Sequence, residues 1–75
     1  MNQALIRRMR RVQNALDDIT DRLDTPYCYE AWTAHKRQCD MDAALDGGDE
    51  KALRTAVRLA ESRCARLERS LSGDA

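Results

Sequence analysis

The chain has 75 residues, of which 43% are hydrophobic and 35% are charged, and 13 basic and 13 acidic side chains give a formal net charge of zero. Twelve leucine, isoleucine and valine residues, without any phenylalanine, allow one domain (residues 1–75) with a thin core. Zero net charge excludes polyanion binding through bulk charge and leaves only local basic patches for such contacts. No apolar run reaches the length that a membrane span needs.

The first predicted helix covers residues 2–23. Its apolar residues recur at alternating spacings of four and three, which places them on one narrow stripe. The stripe consists of Leu5, Met9, Val12, Leu16, Ile19 and Leu23. Such a heptad-like seam favours packing against neighbouring helices at a shallow angle.

The charges of this first helix oppose its dipole. Arginines stand near the positive N-terminal end and aspartates near the negative C-terminal end: Arg7, Arg8, Arg10 and Arg11, then Asp17, Asp18, Asp21 and Asp24. Two antiparallel neighbours could compensate them. One is the second helix, through its late acids Asp40, Asp42 and Asp46, and the other is a second copy of helix one. Together with the thin core, this pattern predicts a homodimer.

The second predicted helix covers residues 26–45, with Thr25 as N-cap, Pro26 in the first turn, and an end at Gly47 and Gly48. It has two adjacent stripes, as expected of the middle helix in a three-helix assembly. The first stripe is Cys28, Trp32, His35 and Cys39; the second is Tyr27, Ala31, Ala34, Met41 and Leu45. We expect the first stripe to be a packing seam in which Trp32 fills the core.

The third predicted helix covers residues 49–71, is capped by Asp49, and is followed by a frayed tail at 72–75. Its stripe is Leu53, Val57, Ala60, Cys64, Leu67 and Leu71. The three patterns predict an all-α fold, a small three-helix antiparallel bundle with heptad-like seams that dimerisation could complete. The alternative, one long helix across Gly47 and Gly48, is disfavoured because adjacent glycines destabilise a helix interior.

The three cysteines form no CxxC pair and no secretory segment precedes them, which predicts free thiols in a reducing cytoplasm. His35 and Cys39 stand four residues apart, as two metal ligands on a helix would, and Cys64 is the best candidate for a third. Cys28 is about 16 Å from Cys39 along a helix, too far to share one ion. The preferred interpretation is structural: cysteines act as small apolar residues, and no metal or cofactor is predicted.

No catalytic motif is present, and we predict a non-enzymatic protein-interaction module. It would bind a larger macromolecule as an inhibitor, adaptor or regulator, as small bacterial or phage-encoded proteins do. Tyr29 falls on the side of Thr33 and Lys36, away from both stripes, and Leu59 lies off the helix-three seam, so both should face solvent. The predicted contact residues are Tyr29, Leu59, Arg7, Arg10 and Arg11.

The alternative prediction is a small DNA- or RNA-binding regulator that uses the outer face of helix three. The residues that would contact phosphates are Lys51, Arg54, Arg58 and Arg69. Residues 49–71 contain six bases and four acids, a net charge of +2, which is modest for a surface that follows a phosphate backbone. Glu61 and Glu68 stand beside this stripe and would repel phosphate.

Overall fold

Three helices packed against one another make up the structure, a computed structural model that describes residues 1–23 and 28–71. They are α1 (Gln3–Arg22), α2 (Tyr29–Asp46) and α3 (Glu50–Leu71). Pairs of hydrogen bonds fix their directions. Gln13 meets Asp42 and Asp17 meets Gln38, so α1 and α2 are antiparallel. Asn2 meets Glu50 and Arg8 meets Glu61, so α1 and α3 are parallel. The predicted all-α three-helix bundle is confirmed.

The seams of α1 and α3 form the core as their spacing predicts. Leu16 and Ile19 of α1, and Leu53 and Val57 of α3, are completely buried. The predicted ends of the two seams lie nearer to solvent, because Leu23 is half-buried and Leu71 is exposed. The remaining members of the core cluster are Leu5, Met9, Val12, Ala34, Met41, Ala56, Ala60, Cys64 and Leu67.

The turn between α2 and α3 also follows the prediction. Gly48 has φ +67°, in the left-handed region that favours glycine, and its N–H donates to the carbonyl of Leu45 at 3.0 Å. Asp49 then caps α3, since its Oδ1 accepts from the N–H of Ala52 at 3.1 Å. The two helices are separate, and the alternative of one long helix across Gly47 is wrong.

The start of α2 differs from the prediction. Cys28 has extended backbone with ψ 163°, and its Sγ accepts from the N–H of Ala31 at 3.4 Å, so Cys28 is the N-cap and the helix begins at Tyr29. A cysteine sulfur is a weak acceptor, which is why sequence patterns favour hydroxyl and carboxylate caps. Some predictions fall on residues outside those that the structure describes. They concern the predicted cap and first turn of helix two, one member of its second stripe, one acid of helix one and the tail: Thr25, Pro26, Tyr27, Asp24 and 72–75.

The rotation of α2 about its axis is the main correction. Its second stripe faces the core, with Ala31, Ala34 and Met41 buried. Thr33 is buried beside them, and its hydroxyl is satisfied because Oγ1 donates to the carbonyl of Glu30 at 2.9 Å. The first stripe faces solvent, so the prediction that it is a packing seam is wrong. The small alanines let α2 lie close to its neighbours, and no space remains there for an indole ring.

Charge compensation between α1 and α2 also differs from the prediction. Asp40 forms ion pairs within its own helix, with Lys36 at 3.0 Å and Arg37 at 3.4 Å. Asp42 accepts a hydrogen bond from Gln13 rather than pairing with an arginine. These acids therefore do not neutralise the early arginines of α1.

One arginine of α1 does find a partner, and it lies on α3. Arg8 donates to both carboxylate oxygens of Glu61, from Nε at 2.9 Å and from Nη2 at 2.6 Å. This hydrogen bond and the negative charge of Glu61 raise the pKa of Arg8 above its ordinary value. The pair links two helices that are parallel and not adjacent in sequence.

The packing predicts different consequences for two leucines. Leu16 is completely buried, and we expect Leu16→Ala to lower the free energy of unfolding by about 2–5 kcal/mol, through lost transfer energy and a new cavity. Leu59 is 43% exposed, and Leu59→Ala should change it by less than about 1 kcal/mol. Urea denaturation followed by helical circular dichroism measures both. Equal losses would contradict this assignment of the core.

Candidate protein-binding surface

The outward side of α2 carries both aromatic residues that the structure describes. Tyr29 is 65% exposed and Trp32 is 59% exposed. We define the α2 outer face as these two residues with their exposed neighbours on the next two turns, His35, Lys36 and Cys39. A soluble chain usually covers its largest apolar rings, so this exposure singles the face out.

The rings of Tyr29 and Trp32 stack on each other. Their centroids are 6.4 Å apart and their planes meet at 27°, a stacked arrangement within the range at which aromatic pairs attract. The backbone beneath them is regular helix, since the N–H of Trp32 donates to the carbonyl of Cys28 at 3.1 Å. The pair is therefore a preformed apolar projection on a rigid element.

The predicted exposure of Tyr29 is confirmed, but the prediction that Trp32 fills the core is wrong. Its exposure follows from the rotation of α2, which leaves Thr33 inside although that residue was expected on the outward side with Tyr29. A signal was present in the sequence. The competing stripe contained Ala31 and Ala34, whose small size suits close helix contact, whereas Trp32 needs a volume that a chain with so few large apolar residues does not enclose.

The metal candidates are not brought together. Cys39 Sγ lies 3.4 Å from His35 Nε2, and both residues are exposed on α2. Cys64 is buried on α3, in a recess with Val12 and Ala15 of α1. Among the described residues, no group of three or more histidine, cysteine, aspartate or glutamate side chains is placed to hold a metal ion.

Cys64 is set apart from the other thiols by its surroundings. Burial raises the pKa of the Cys64 thiol above its ordinary value, and the negative charge of Glu68 and a hydrogen bond to it raise that pKa further, against a smaller lowering by Arg22. The sulfur lies 3.7 Å from Glu68 Oε1. Cys64 is therefore a buried packing residue whose thiol ionises less readily than an ordinary thiol.

Leu59 is exposed as predicted, and it stands between two surface depressions. On one side it shares an apolar groove between α2 and α3 with four alanines: Ala43, Ala44, Ala52 and Ala56. On the other side it lies beside three arginines: Arg37, Arg63 and Arg66. Leu59 thus adds exposed apolar surface on α3, with a basic border on one side.

The predicted contact arginines lie on another helix. Arg7, Arg10 and Arg11 are all exposed on α1. None of them forms a salt bridge with the other described residues, whereas Arg8 between them is held by Glu61. The predicted contact residues are therefore distributed over α1, α2 and α3 rather than gathered on one helix.

The predicted nucleic-acid residues are partly brought together. Lys51, Arg54 and Arg58 line one open depression on α3, together with Arg8 and Glu50. Arg69 is exposed but lies eleven residues beyond Arg58, about 16 Å farther along the helix. Acids compensate part of this charge, since Arg54 pairs with Glu50 at 3.7 Å and Arg8 pairs with Glu61.

The pKa of Cys64 generates a prediction about thiol reactivity. Because the thiolate is the reacting form and a raised pKa makes it scarcer at a given pH, Cys64 should react with maleimide more slowly than exposed Cys39 at pH 7. Its rate should still be rising with pH above about 8.5, where the rate of an ordinary thiol levels off. Peptide mass mapping over time measures both rates, and equal rates in the folded protein would contradict the assignment.

The exposure of Trp32 generates a prediction about fluorescence. It is the sole tryptophan in the chain, so the emission spectrum reports it alone. We expect emission close to that of a tryptophan peptide in water, and acrylamide quenching nearly as efficient as for that peptide, because the ring is 59% exposed. Emission shifted to shorter wavelength, with quenching several-fold weaker, would instead indicate a buried indole.

Comparison of the chain with protein-family models, with curated proteins and with solved structures found no match. None of the three described helices combines the length and apolar composition that crossing a bilayer requires.

Proposed function

We propose that the protein is a non-enzymatic module that binds a larger protein through the α2 outer face and thereby acts as an inhibitor, adaptor or regulator. The observation that carries this proposal is the exposed, stacked pair of Tyr29 and Trp32. Tryptophan and tyrosine are the residue types that most often dominate the energy of protein interfaces.

The apolar area of the two exposed rings is large enough to contribute substantially to the free energy of binding. Covering roughly 200 Å² of apolar surface, at about 25 cal/mol per Å², would contribute about 5 kcal/mol before the cost of association. The rings project from a regular helix and already stack on each other, which reduces the conformational freedom that they would lose on binding. An apolar pocket on the partner is the matching surface.

The surroundings of the pair resemble an interface in their distribution of polarity. Lys36 and Asp40 form a salt bridge on the next turns of α2, and a polar border around an apolar centre is the usual anatomy of a protein interface. Leu59 offers a second apolar contact for a partner that extends over the groove towards α3. The exposed arginines of α1 are not needed for this contact.

A second candidate function is binding of DNA or RNA by α3. The observation that favours it is the depression in which Lys51, Arg54 and Arg58 meet Arg8. Phosphate contacts of this kind are strongly weakened by salt. Two of the four cations are already paired with glutamates, which makes this surface less suited to phosphate than the α2 outer face is to a protein.

The proposal is tested by affinity capture from the native host with mass spectrometry, followed by titration of the captured protein. We expect Trp32→Ala to weaken binding at least about tenfold, because it removes the largest side chain of the face. Leu71→Ala is the matched control, since Leu71 is also a large, 37% exposed apolar residue but belongs to α3 rather than to the α2 outer face. It should bind as the original chain does.

The double variant Arg54→Glu and Arg58→Glu separates the two candidates. If the α2 outer face is the binding site, this variant retains the partner. Loss of a salt-sensitive, nuclease-sensitive complex in this variant alone would favour the second candidate. Undiminished partner binding by Trp32→Ala would overturn the proposal, provided that circular dichroism shows the same helix content.

A further inference from the structure

The outward side of α1 carries charges in a symmetric order. We define the α1 outer face as seven exposed residues: Arg7, Arg10, Arg11, Asn14, Asp17, Asp18 and Asp21. The three arginines precede Asn14 by seven, four and three residues, and the three aspartates follow it by three, four and seven. A half-turn about an axis through Asn14 therefore places every arginine position on an aspartate position.

The arginine half of this face is left without charge compensation by the residues that the structure describes. Within the described residues, Arg7, Arg10 and Arg11 have no ion-pair partner. Of the late acids of α2, which were one of the two predicted sources of compensation, Asp40 is paired within α2 and Asp42 accepts from Gln13. Asp46 forms no salt bridge with the described residues. The positive charges remain at the N-terminal half of α1, where they oppose the helix dipole. The other predicted source, a second copy of α1, is the one that remains.

We propose that the α1 outer face binds the same face of a second copy, antiparallel, with the two-fold axis at Asn14. Arg7 then faces Asp21 of the other copy, Arg10 faces Asp17, and Arg11 faces Asp18, because residues seven apart lie on the same side of the helix face. The symmetry repeats each contact, which gives six charge pairs. An interface of this kind is isologous, because both copies use the same patch.

The charges of the α1 outer face also determine whether the two copies of α1 pair parallel or antiparallel. In a parallel pair, arginine would face arginine and aspartate would face aspartate, and like charges at such distances repel. In the antiparallel pair, the acids of one copy lie beside the N-terminal half of the other helix, where negative charge is favourable. Both effects favour the same arrangement.

The aspartates of the α1 outer face can still accept contacts from the arginines of a second copy. Asp18 pairs with Arg22 at 3.5 Å, but its side chain is 72% exposed. Asp17 Oδ1 accepts from Gln38 Nε2 at 2.7 Å. A carboxylate offers about four acceptor sites, so neither contact saturates the group. The face contains no large apolar residue, and we expect a weak association that falls with salt.

Charge reversal on each half of the face tests the pairing. One variant carries Arg7→Glu, Arg10→Glu and Arg11→Glu, and the other carries Asp17→Lys, Asp18→Lys and Asp21→Lys. In low salt, sedimentation equilibrium up to about 1 mM should show the original chain dimerising above its 8.6 kDa mass. Each variant alone should dimerise at least about tenfold more weakly. The two mixed in equal amounts, or all six changes on one chain, should restore association.

Cross-linking tests the register without altering the charges. In a chain with Cys28→Ser, Cys39→Ser and Cys64→Ala, the change Asn14→Cys places the two thiols beside the axis, within the reach of a disulfide. Ala4→Cys in the same background is the matched control, because Ala4 is exposed and uncharged, and its two copies would be about 30 Å apart along the helices. We expect a disulfide-linked dimer from the first chain and little from the second.

Three results would overturn the proposal. They are a monomer at every concentration in low salt, a dimer that charge reversal leaves unchanged, and equal cross-linking at the two positions. The α2 outer face lies on a different helix, so Trp32→Ala should not alter the dimer. Dimerisation through α1 and partner binding through α2 can therefore be tested, and lost, independently of each other.

Discussion

The close fit of α2 between its two neighbours is the constraint on which the rest of the structure depends. Ala34 is completely buried in the core at this contact, Ala31 is also buried, and short side chains bring helix backbones close together. The long side chains of α1 and α3, with Met41, then fill the remaining space. Because a core of this size has no volume for an indole ring, Trp32 lies outside. The exposed aromatic pair is thus a consequence of how the core is packed.

Much of the fold follows from single apolar stripes. On α1 and α3 the four-three spacing places the apolar residues on a single stripe, so only one rotation of each helix about its axis buries them. The structure shows both helices in that rotation. The glycine pair and Asp49 fixed the second turn for equally local reasons, a left-handed φ at Gly48 and a capping carboxylate. The rotation of α2 was not predictable in this way, because it has two stripes and hydrophobicity alone does not choose between them. The volume of the side chains decides which stripe of α2 is buried, because the space available for them is set by the neighbouring helices.

The candidate surfaces were predictable to different degrees. The exposure of Tyr29 and Leu59 follows from their positions off the seams. The exposure of Trp32 does not follow from the sequence pattern, because a tryptophan on an apolar stripe predicts burial. The partners of the α2 acids do not follow from that pattern either. Asp40 has cations three and four residues away on its own helix, and such neighbours are always within reach, while a partner on another helix depends on rotation and register. Pairing across helices is therefore the least predictable feature.

The two sides of α2 differ in how freely their sequence can change. A substitution at Ala31 or Ala34 would push the helices apart, since a larger side chain has no space to occupy. A substitution at Tyr29 or Trp32 alters only the exterior and should leave stability nearly unchanged. What the protein recognises could thus diverge over generations, through changes on one side of a single helix, while the scaffold that presents it stays the same.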